Sequence, residues 1–341
     1  MKKKIIIFAV CFVTLFTIGC DYDGNEEGGP GPTKGDDGYV YGESNGISFK
    51  RRTSDGYSSN EGQTNYGITE EVVEGQRVAL VSVERNKYTH INVEVDEATA
   101  MIYNHFFAII PEYVTSDNNQ KTPNLDVGPR YPTATKISLF GGMGIDLGQF
   151  TIHGYINSEN TRAQLNRGLV RIYSPVSTKI CLYVDHRDDT KYFSSLKKNI
   201  TDIFSQAVIN ITDDDYITGG LNMNTPPVWE LNQNTITPYE DSLMHGIFGT
   251  MLGTNVYIVL VRQATTSRII QRQNYAIIPL RKDVVGPAVY LTDSEVGRIA
   301  AHELGRIWGL TASNNLPGDN LMNPSRNGTN LNYSQWEVLR Q

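Results

Sequence analysis

The chain has few cysteines and no excess of positive charge, and these shortages exclude whole classes of protein. Its 341 residues include three cysteines, and 30 lysines and arginines stand against 37 aspartates and glutamates. With a net charge of −7 and no basic stripe, there is no electrostatic case for nucleic-acid binding. The Gly-x-Ser-x-Gly elbow, the phosphate-binding loop and the dinucleotide fingerprint are also missing. We therefore expect no nucleic-acid partner, and the sequence carries none of these three catalytic or nucleotide-binding signatures.

The first twenty residues have the features of a bacterial lipoprotein signal. Three lysines precede an apolar run, Ile5 to Ile18, which is shorter than the ~20 residues that a membrane-spanning helix needs. The run ends in Thr17-Ile18-Gly19-Cys20, which resembles a lipobox although threonine replaces the usual leucine. We expect a signal peptide over residues 1–19 and a lipid on Cys20, in preference to simple secretion. The lipid would anchor the chain in the bacterial outer membrane, facing the periplasm or the cell surface.

An acidic segment follows Cys20. Residues 21–45 contain seven acidic residues and one lysine among many glycines and prolines. A segment of this composition buries little apolar surface, so residues 20–45 are predicted to form a flexible tether. The acidic run also resembles the surface-export signals of some Gram-negative lipoproteins, but a plain spacer explains it equally well.

The mature chain would keep one ordinary cysteine. Cys11 leaves with the signal peptide and Cys20 takes the lipid, so no disulfide can form within the chain. Cys181 lies in the apolar run Ile180 to Val184 and is predicted to be a small buried hydrophobe rather than a nucleophile.

Residues 46–175 are predicted to form a β-rich accessory domain, with a sandwich as the arrangement we expect. Several segments alternate apolar and polar residues, which is the period of a half-buried strand, and Gly, Asn and Asp clusters separate them. The stretch from Ala98 to Val114 is ambiguous between helix and buried strand. The predicted strands are Arg77–Glu84, His90–Val95, Lys136–Phe140, Phe150–Tyr155 and Leu169–Tyr173.

Residues 176–341 differ from the preceding part, because here predicted strands and predicted helices are mixed along the sequence. A helix is predicted from Tyr192 to Ala207, where apolar residues recur at helical spacing. The long polar stretch from Asp213 to about Gly253 is predicted to be a loop. Together the two parts predict an α+β fold class. The predicted strands of this part are Ile180–Asp185, Ala207–Ile211, Asn255–Val261, Tyr275–Leu280 and Ala288–Leu291.

A second helix is predicted directly after Thr292. Thr292 and Glu295 form a capping box, and apolar residues follow at helical spacing. The helix carries the sequence Ala301-His302-Glu303-Leu304-Gly305-Arg306-Ile307-Trp308-Gly309-Leu310-Thr311-Ala312. Residues four apart share one helix face, which is how the motif His-Glu-x-x-His presents two imidazoles to one zinc ion. The glutamate of that motif acts as general base on the metal-bound water.

Residues of about 178–341 resemble the metzincin clan of zinc metallopeptidases. The resemblance rests on His302, Glu303, Gly309 and Met322, together with the strand and helix order ahead of them. It implies a metzincin-like domain in which His302 is a zinc ligand, Glu303 the catalytic base, and Met322 the methionine of a turn beneath the metal.

Two of the three expected zinc ligands are missing. Arg306 stands at the second histidine position and Ala312 at the third. A guanidinium keeps its proton and has no lone pair for a metal, and alanine has no donor atom. Asp293, Asp319 and His245 are conceivable substitutes, although no spacing argument supports them. Zinc binding is therefore predicted to be weak or absent, with Arg306 pairing with Glu303 in place of the metal.

These observations leave the question of enzymatic activity open. The preferred reading is a lipid-anchored envelope pseudopeptidase that binds a protein or peptide. The alternatives are an active zinc endopeptidase with non-standard ligands and a surface adhesion or structural lipoprotein.

Overall fold

The computed structural model describes residues 41–51, 67–111, 114, 124–125, 135–144, 146–156, 162–220, 228–249, 255–284, 288–324 and 328–341. The predicted signal peptide and Cys20 lie outside these residues, as does most of the tether. Within them the fold is mixed α/β, with three sheets and five α-helices. None of the described helices has the length and apolarity required to cross a membrane.

The N-terminal part consists of two sheets that share one apolar core. Phe49 of one sheet meets Phe150 of the other edge to face, with ring centroids 5.3 Å apart. A short helix, α1 (Glu97–Ile102), precedes strand β6 (His105–Ile109). The four-stranded sheet has the order β1 (Tyr41–Ser44), β2 (Ile47–Arg51), β5 (Tyr88–Val95), β8 (Thr135–Phe140). The six-stranded sheet has the order β3 (Ile68–Val73), β4 (Gln76–Glu84), β10 (Ala163–Tyr173), β9 (Leu147–Tyr155), β6 (His105–Ile109), β7 (Asn124–Leu125).

Three features of this part correct the sequence-based expectations. The ambiguous stretch after Ala98 contains both a helix, α1, and a strand, β6. The last residues of the predicted tether form strand β1, because the Tyr41 side chain is buried and the Gly42 N–H donates to Glu70 Oε1 over 2.8 Å. Strand β4 is buried on both faces rather than one, because its outer face packs against the C-terminal part of the chain.

The C-terminal part is a five-stranded sheet with helices on both faces. All neighbouring strands are parallel except β14, which pairs antiparallel with β15 at one edge. The order is β12 (Tyr216–Gly220), β11 (Ile180–Val184), β13 (Val256–Val261), β15 (Tyr275–Pro279), β14 (Ile270–Gln271). Each central strand is apolar throughout, as expected for a parallel sheet covered on both sides.

Helices α2 (Tyr192–Phe204) and α4 (Asp293–Ile307) pack on one face of this sheet, and α3 (Pro238–Phe248) packs on the other. The chain ends with α5 (Tyr333–Leu339). Cys181 faces the α3 side, where it is 4% exposed, and burial raises the pKa of its thiol. The predicted burial of Cys181 is therefore confirmed.

The sequence reading of this part was wrong in three places. Residues 207–211 form a turn with Val208 in the left-handed region (φ 56°), and the segment makes a single bridge between Val176 and Ile209. Residues 288–291 likewise make one isolated bridge, between Arg281 and Tyr290. The predicted loop from Asp213 contains β12 and α3. Most side chains of β12 are exposed. The strand forms because its backbone pairs with β11, so its sequence lacks the alternation of apolar and polar residues that would have predicted it.

Candidate functional site

Helix α4 begins at the capping box that the sequence predicts and ends just before Gly309. The Thr292 hydroxyl accepts the N–H of Glu295, and the Glu295 carboxylate accepts the N–H of Thr292 over 2.7 Å, which completes the capping box. At the other end Gly309 adopts a φ of 96°, which favours glycine, and lets the Leu310 N–H reach the Gly305 carbonyl over 2.8 Å. These ends set the length of the helix that carries the candidate site.

His302 is buried and held by the turn that contains Met322. Its Nδ1 lies 2.9 Å from the Leu321 carbonyl oxygen, and since a carbonyl only accepts, Nδ1 carries the proton. Burial lowers the pKa of His302 to about 4. The hydrogen bond to Leu321 raises the pKa, whereas the nearby positive charges of Arg298 and Arg306 lower it further. The imidazole is therefore neutral at pH 7.

Glu303 is paired with Arg306, the residue at the second predicted ligand position. Arg306 Nη1 lies 3.3 Å from Glu303 Oε2, which is the pairing expected from their spacing along the helix. The Glu303 side chain is 1% exposed and that of Arg306 is 25% exposed. Burial raises the pKa of Glu303 to about 7, although the positive charges of Arg306 and Arg298 act in the opposite direction.

Met322 lies beneath the helix at Gly305. Its side chain is fully buried, and a Cβ added to Gly305 would stand 3.0 Å from Met322 Sδ. A methyl group at position 305 would require the side chains of Met322 and Leu310 to shift by a few tenths of an ångström. The turn is held by the Met322 N–H, which donates to Asn320 Oδ1 over 2.9 Å. The role of Gly305 was missed from the sequence, where it is an unremarked position inside the motif.

The residues at the three ligand positions do not fit a zinc site of the usual kind. Only His302 offers a donor, because Arg306 is cationic and Ala312 is packed against the apolar core. Across the described ranges there is no group of three His, Cys, Asp or Glu residues that could hold a metal ion. The prediction of weak or absent zinc binding still awaits a metal measurement.

The possible substitute ligands have other positions and partners. Asp319 accepts a hydrogen bond from Asn330 Nδ2 over 2.9 Å, and His245 on α3 lies 3.0 Å from the Asp241 carbonyl oxygen. Asp293 is the first residue of α4, so it lies about 14 Å from His302 along the helix axis. Trp308 is partly buried, and its ring packs edge to face on Phe204 against the apolar core.

Two buried ionic clusters of the C-terminal part were also missed from the sequence. Arg262 makes two hydrogen bonds to Asp189, of 3.0 and 2.6 Å, at the carboxyl ends of β11 and β13. Arg272 makes two hydrogen bonds to the fully buried Glu240, of 3.0 and 2.9 Å. These bonds connect the end of β14 to α3. In each cluster the two paired residues are far apart along the chain, so no local spacing predicts the pair.

Arg298 lies one turn before His302 on the same helix. Its position near the site follows from helical spacing and could have been predicted.

Comparisons with known proteins give a distant structural likeness only. No family model and no curated protein matches the chain. It is similar in structure to metalloproteinase-II from Bacteroides fragilis, with a TM-score of 0.31 and 13% identity over 80% of this chain and 84% of that one. A 2,6-sialyltransferase from Photobacterium sp. JT-ISH-224 gives a TM-score of 0.18 and 12% identity over 55% of this chain and 35% of that one. At such TM-scores neither likeness determines a family or an activity.

Proposed function

We propose that this chain is a lipid-anchored envelope protein whose C-terminal part is a metal-free derivative of a metallopeptidase and binds a protein or peptide without cleaving it. The observation that carries the proposal is the contact between Arg306 Nη1 and Glu303 Oε2 at 3.3 Å. It gives the glutamate that would activate a metal-bound water a cationic partner from the polypeptide itself.

Electrostatics supports this replacement. A zinc ion at the motif would stand close to a guanidinium, and at an effective dielectric constant of about 20 each unit charge of the ion would be repelled by about 4 kcal/mol at 4 Å. The same guanidinium compensates the buried Glu303 when that carboxyl is ionised. The chain therefore retains the buried architecture of the site while the metal chemistry is lost.

Binding of an extended peptide needs no metal. The short antiparallel strand β14 is an edge of the five-stranded sheet in the described residues, and a peptide can add to such an edge through main-chain hydrogen bonds. We place the partner near α4 and this edge, outside the membrane to which the lipid on Cys20 would attach the protein.

The test is a zinc titration of the purified mature chain by calorimetry, after treatment with chelator and dialysis. We expect no stoichiometric zinc in the parent and no digestion of casein. The double variant Arg306→His with Ala312→His restores the motif and is expected to gain zinc, and adding His302→Ala should abolish that gain. One tightly held zinc per parent chain, with chelator-sensitive casein digestion that Glu303→Ala abolishes, would establish the active endopeptidase instead.

A further inference from the structure

Arg306 has more hydrogen-bond donors than its contact with Glu303 uses. A guanidinium carries five N–H donors in a planar fork. Nη1 is directed to Glu303, whereas Nε and Nη2 bond to no described residue, and neither atom is buried. The Nε and Nη2 donors lie along one edge of the guanidinium, which is the geometry that binds both oxygens of a carboxylate.

The charges around this edge favour an anion. Arg298 and Arg306 both act on His302 and Glu303, so two positive charges lie close to one carboxyl group. With Glu303 ionised, these three side chains carry one net positive charge, whereas the chain as a whole has a net charge of −7. A carboxylate at the Nε and Nη2 edge would be attracted by the guanidinium.

Glu303 holds the guanidinium in place. Its side chain is 1% exposed and belongs to a rigid, capped helix, so the Nη1 contact restricts the orientation of Arg306. An arginine restricted in this way loses less conformational entropy on binding than a freely rotating one.

We propose that the Nε and Nη2 edge of Arg306 binds a carboxylate of the peptide partner, with Glu303 as the positioning residue. The inference rests on the proposed function, because it takes the site around Glu303 and Arg306 to be metal-free. The carboxylate belongs either to the C-terminus of the partner or to an Asp or Glu side chain.

The experiment is a titration of the zinc-free mature chain followed by NMR at the Arg306 Nε–H resonance, which is assigned by its loss in Arg306→Lys. The probes are N-acetylglycine for a peptide C-terminus, the α-amide of N-acetylglutamic acid for a side chain, and N-acetylglycinamide as the neutral control. We expect saturable shifts with at least one carboxylate and binding at least about tenfold weaker for the neutral amide. Whichever carboxylate binds more tightly identifies the source.

The variants separate binding from positioning. By calorimetry, Arg306→Lys keeps the charge without the fork and is expected to weaken N-acetylglycine binding about tenfold. Glu303→Ala is also expected to weaken it, whereas Glu303→Gln, whose amide oxygen accepts the same hydrogen bond, should restore it. The exposed Arg187, which lies 3.7 Å from Asp188, supplies the matched control Arg187→Lys with no expected effect.

Two results would overturn the inference: no carboxylate shifts the Arg306 resonance, or the neutral amide binds equally well. Neither result changes the outcome of the zinc titration, so the proposal of a metal-free peptide-binding site is tested separately. Stoichiometric zinc in the parent, in contrast, overturns the proposed function whatever Arg306 binds after chelation.

Discussion

Asp185, at the carboxyl end of β11, is a buried carboxyl group that should make stability depend on pH. It is completely buried, and both of its oxygens lie 3.0 Å from the backbone N of Arg262. Burial raises its pKa from an ordinary 3.8 to about 7, with Asp189 adding to the shift and the hydrogen bond from the Arg262 backbone opposing it. The folded state therefore keeps a proton that the unfolded state has already released between these two pH values.

Because the folded state binds more protons in this window, the free energy of unfolding falls as pH rises from about 4 to about 7. Between pH 5 and pH 7 the contribution of Asp185 amounts to about 2 to 3 kcal/mol. Urea unfolding at both pH values should show a smaller loss for Asp185→Asn than for the parent. Equal losses in the two proteins would contradict this assignment.

At this scale the sequence predicts contacts within one helix and misses those that cross the fold. The Arg306 to Glu303 pair follows from a separation of three residues, which places both on one helix face. The hydrogen bond from His302 to the Leu321 carbonyl joins residues nineteen positions apart, and no periodicity specifies it. The pKa values of His302 and Glu303 depend on burial and were equally out of reach.

Helices α2 and α4 cross at a glycine, and this contact makes a prediction about element packing. A Cβ at Gly297 would stand 2.0 Å from Asn199 Nδ2 and 2.9 Å from Asn199 Cβ. Gly297→Ala should therefore lower the free energy of unfolding by about 1 to 3 kcal/mol, because overpacking outweighs the better helix propensity of alanine. Chemical denaturation measures the change.

The matched control lies in α3, where a Cβ at Gly246 would meet no atom within 4 Å. Gly246→Ala should raise stability by about 0.5 to 1 kcal/mol. Adding Asn199→Ala to Gly297→Ala should recover part of the loss. If both alanine variants stabilise the protein equally, the close crossing at Gly297 is wrong.

Helices and strands with a regular spacing of apolar residues were predicted well, and those without such a spacing were missed. Helix α4 has a capping box and a regular apolar face, and it begins directly after Thr292 as expected. Strand β12 has mostly exposed side chains and forms because its backbone pairs with β11. The order of its side chains therefore does not predict a strand. Helix α3 lies inside a polar stretch that was read as a loop. Its three buried residues, Glu240, Met244 and Phe248, include an acid whose partner is far away in sequence.

The N-terminal and C-terminal parts contact each other through a buried polar cluster centred on Gln206. The Ser82 hydroxyl of the N-terminal part donates to the Gln206 carbonyl over 2.7 Å. Within the C-terminal part, the Gln206 side chain bonds to Thr329 and Leu331 over 2.8 and 2.9 Å and so holds the segment that carries this carbonyl. Nearby, Tyr173 donates to Glu337 over 2.6 Å. Such a satisfied polar interface, together with Leu80 in the C-terminal core, indicates that the two parts unfold together.

Gln206→Ala leaves the Leu331 N–H and the Thr329 carbonyl without these partners and should cost about 1 to 3 kcal/mol. All three tryptophans (Trp229, Trp308 and Trp336) lie in the C-terminal part, so fluorescence reports on that part and far-UV circular dichroism reports on both. The two transitions should coincide in the parent and shift together in the variant. A second transition seen only by circular dichroism would show that the N-terminal part unfolds independently.

Residue identity at short spacing was enough to predict the lipoprotein signal, the capped helix α4 and the lack of a metal donor at positions 306 and 312. The burial of Glu303, the solvent-reaching edge of Arg306 and the junction at Gln206 depend on which distant segments pack together. Packing also sets the dielectric environment and the hydrogen-bond partners of each ionisable group, and residue spacing does not encode either. A sequence motif can therefore indicate that a zinc site is impaired, but only the folded arrangement shows which donors remain to contact a ligand.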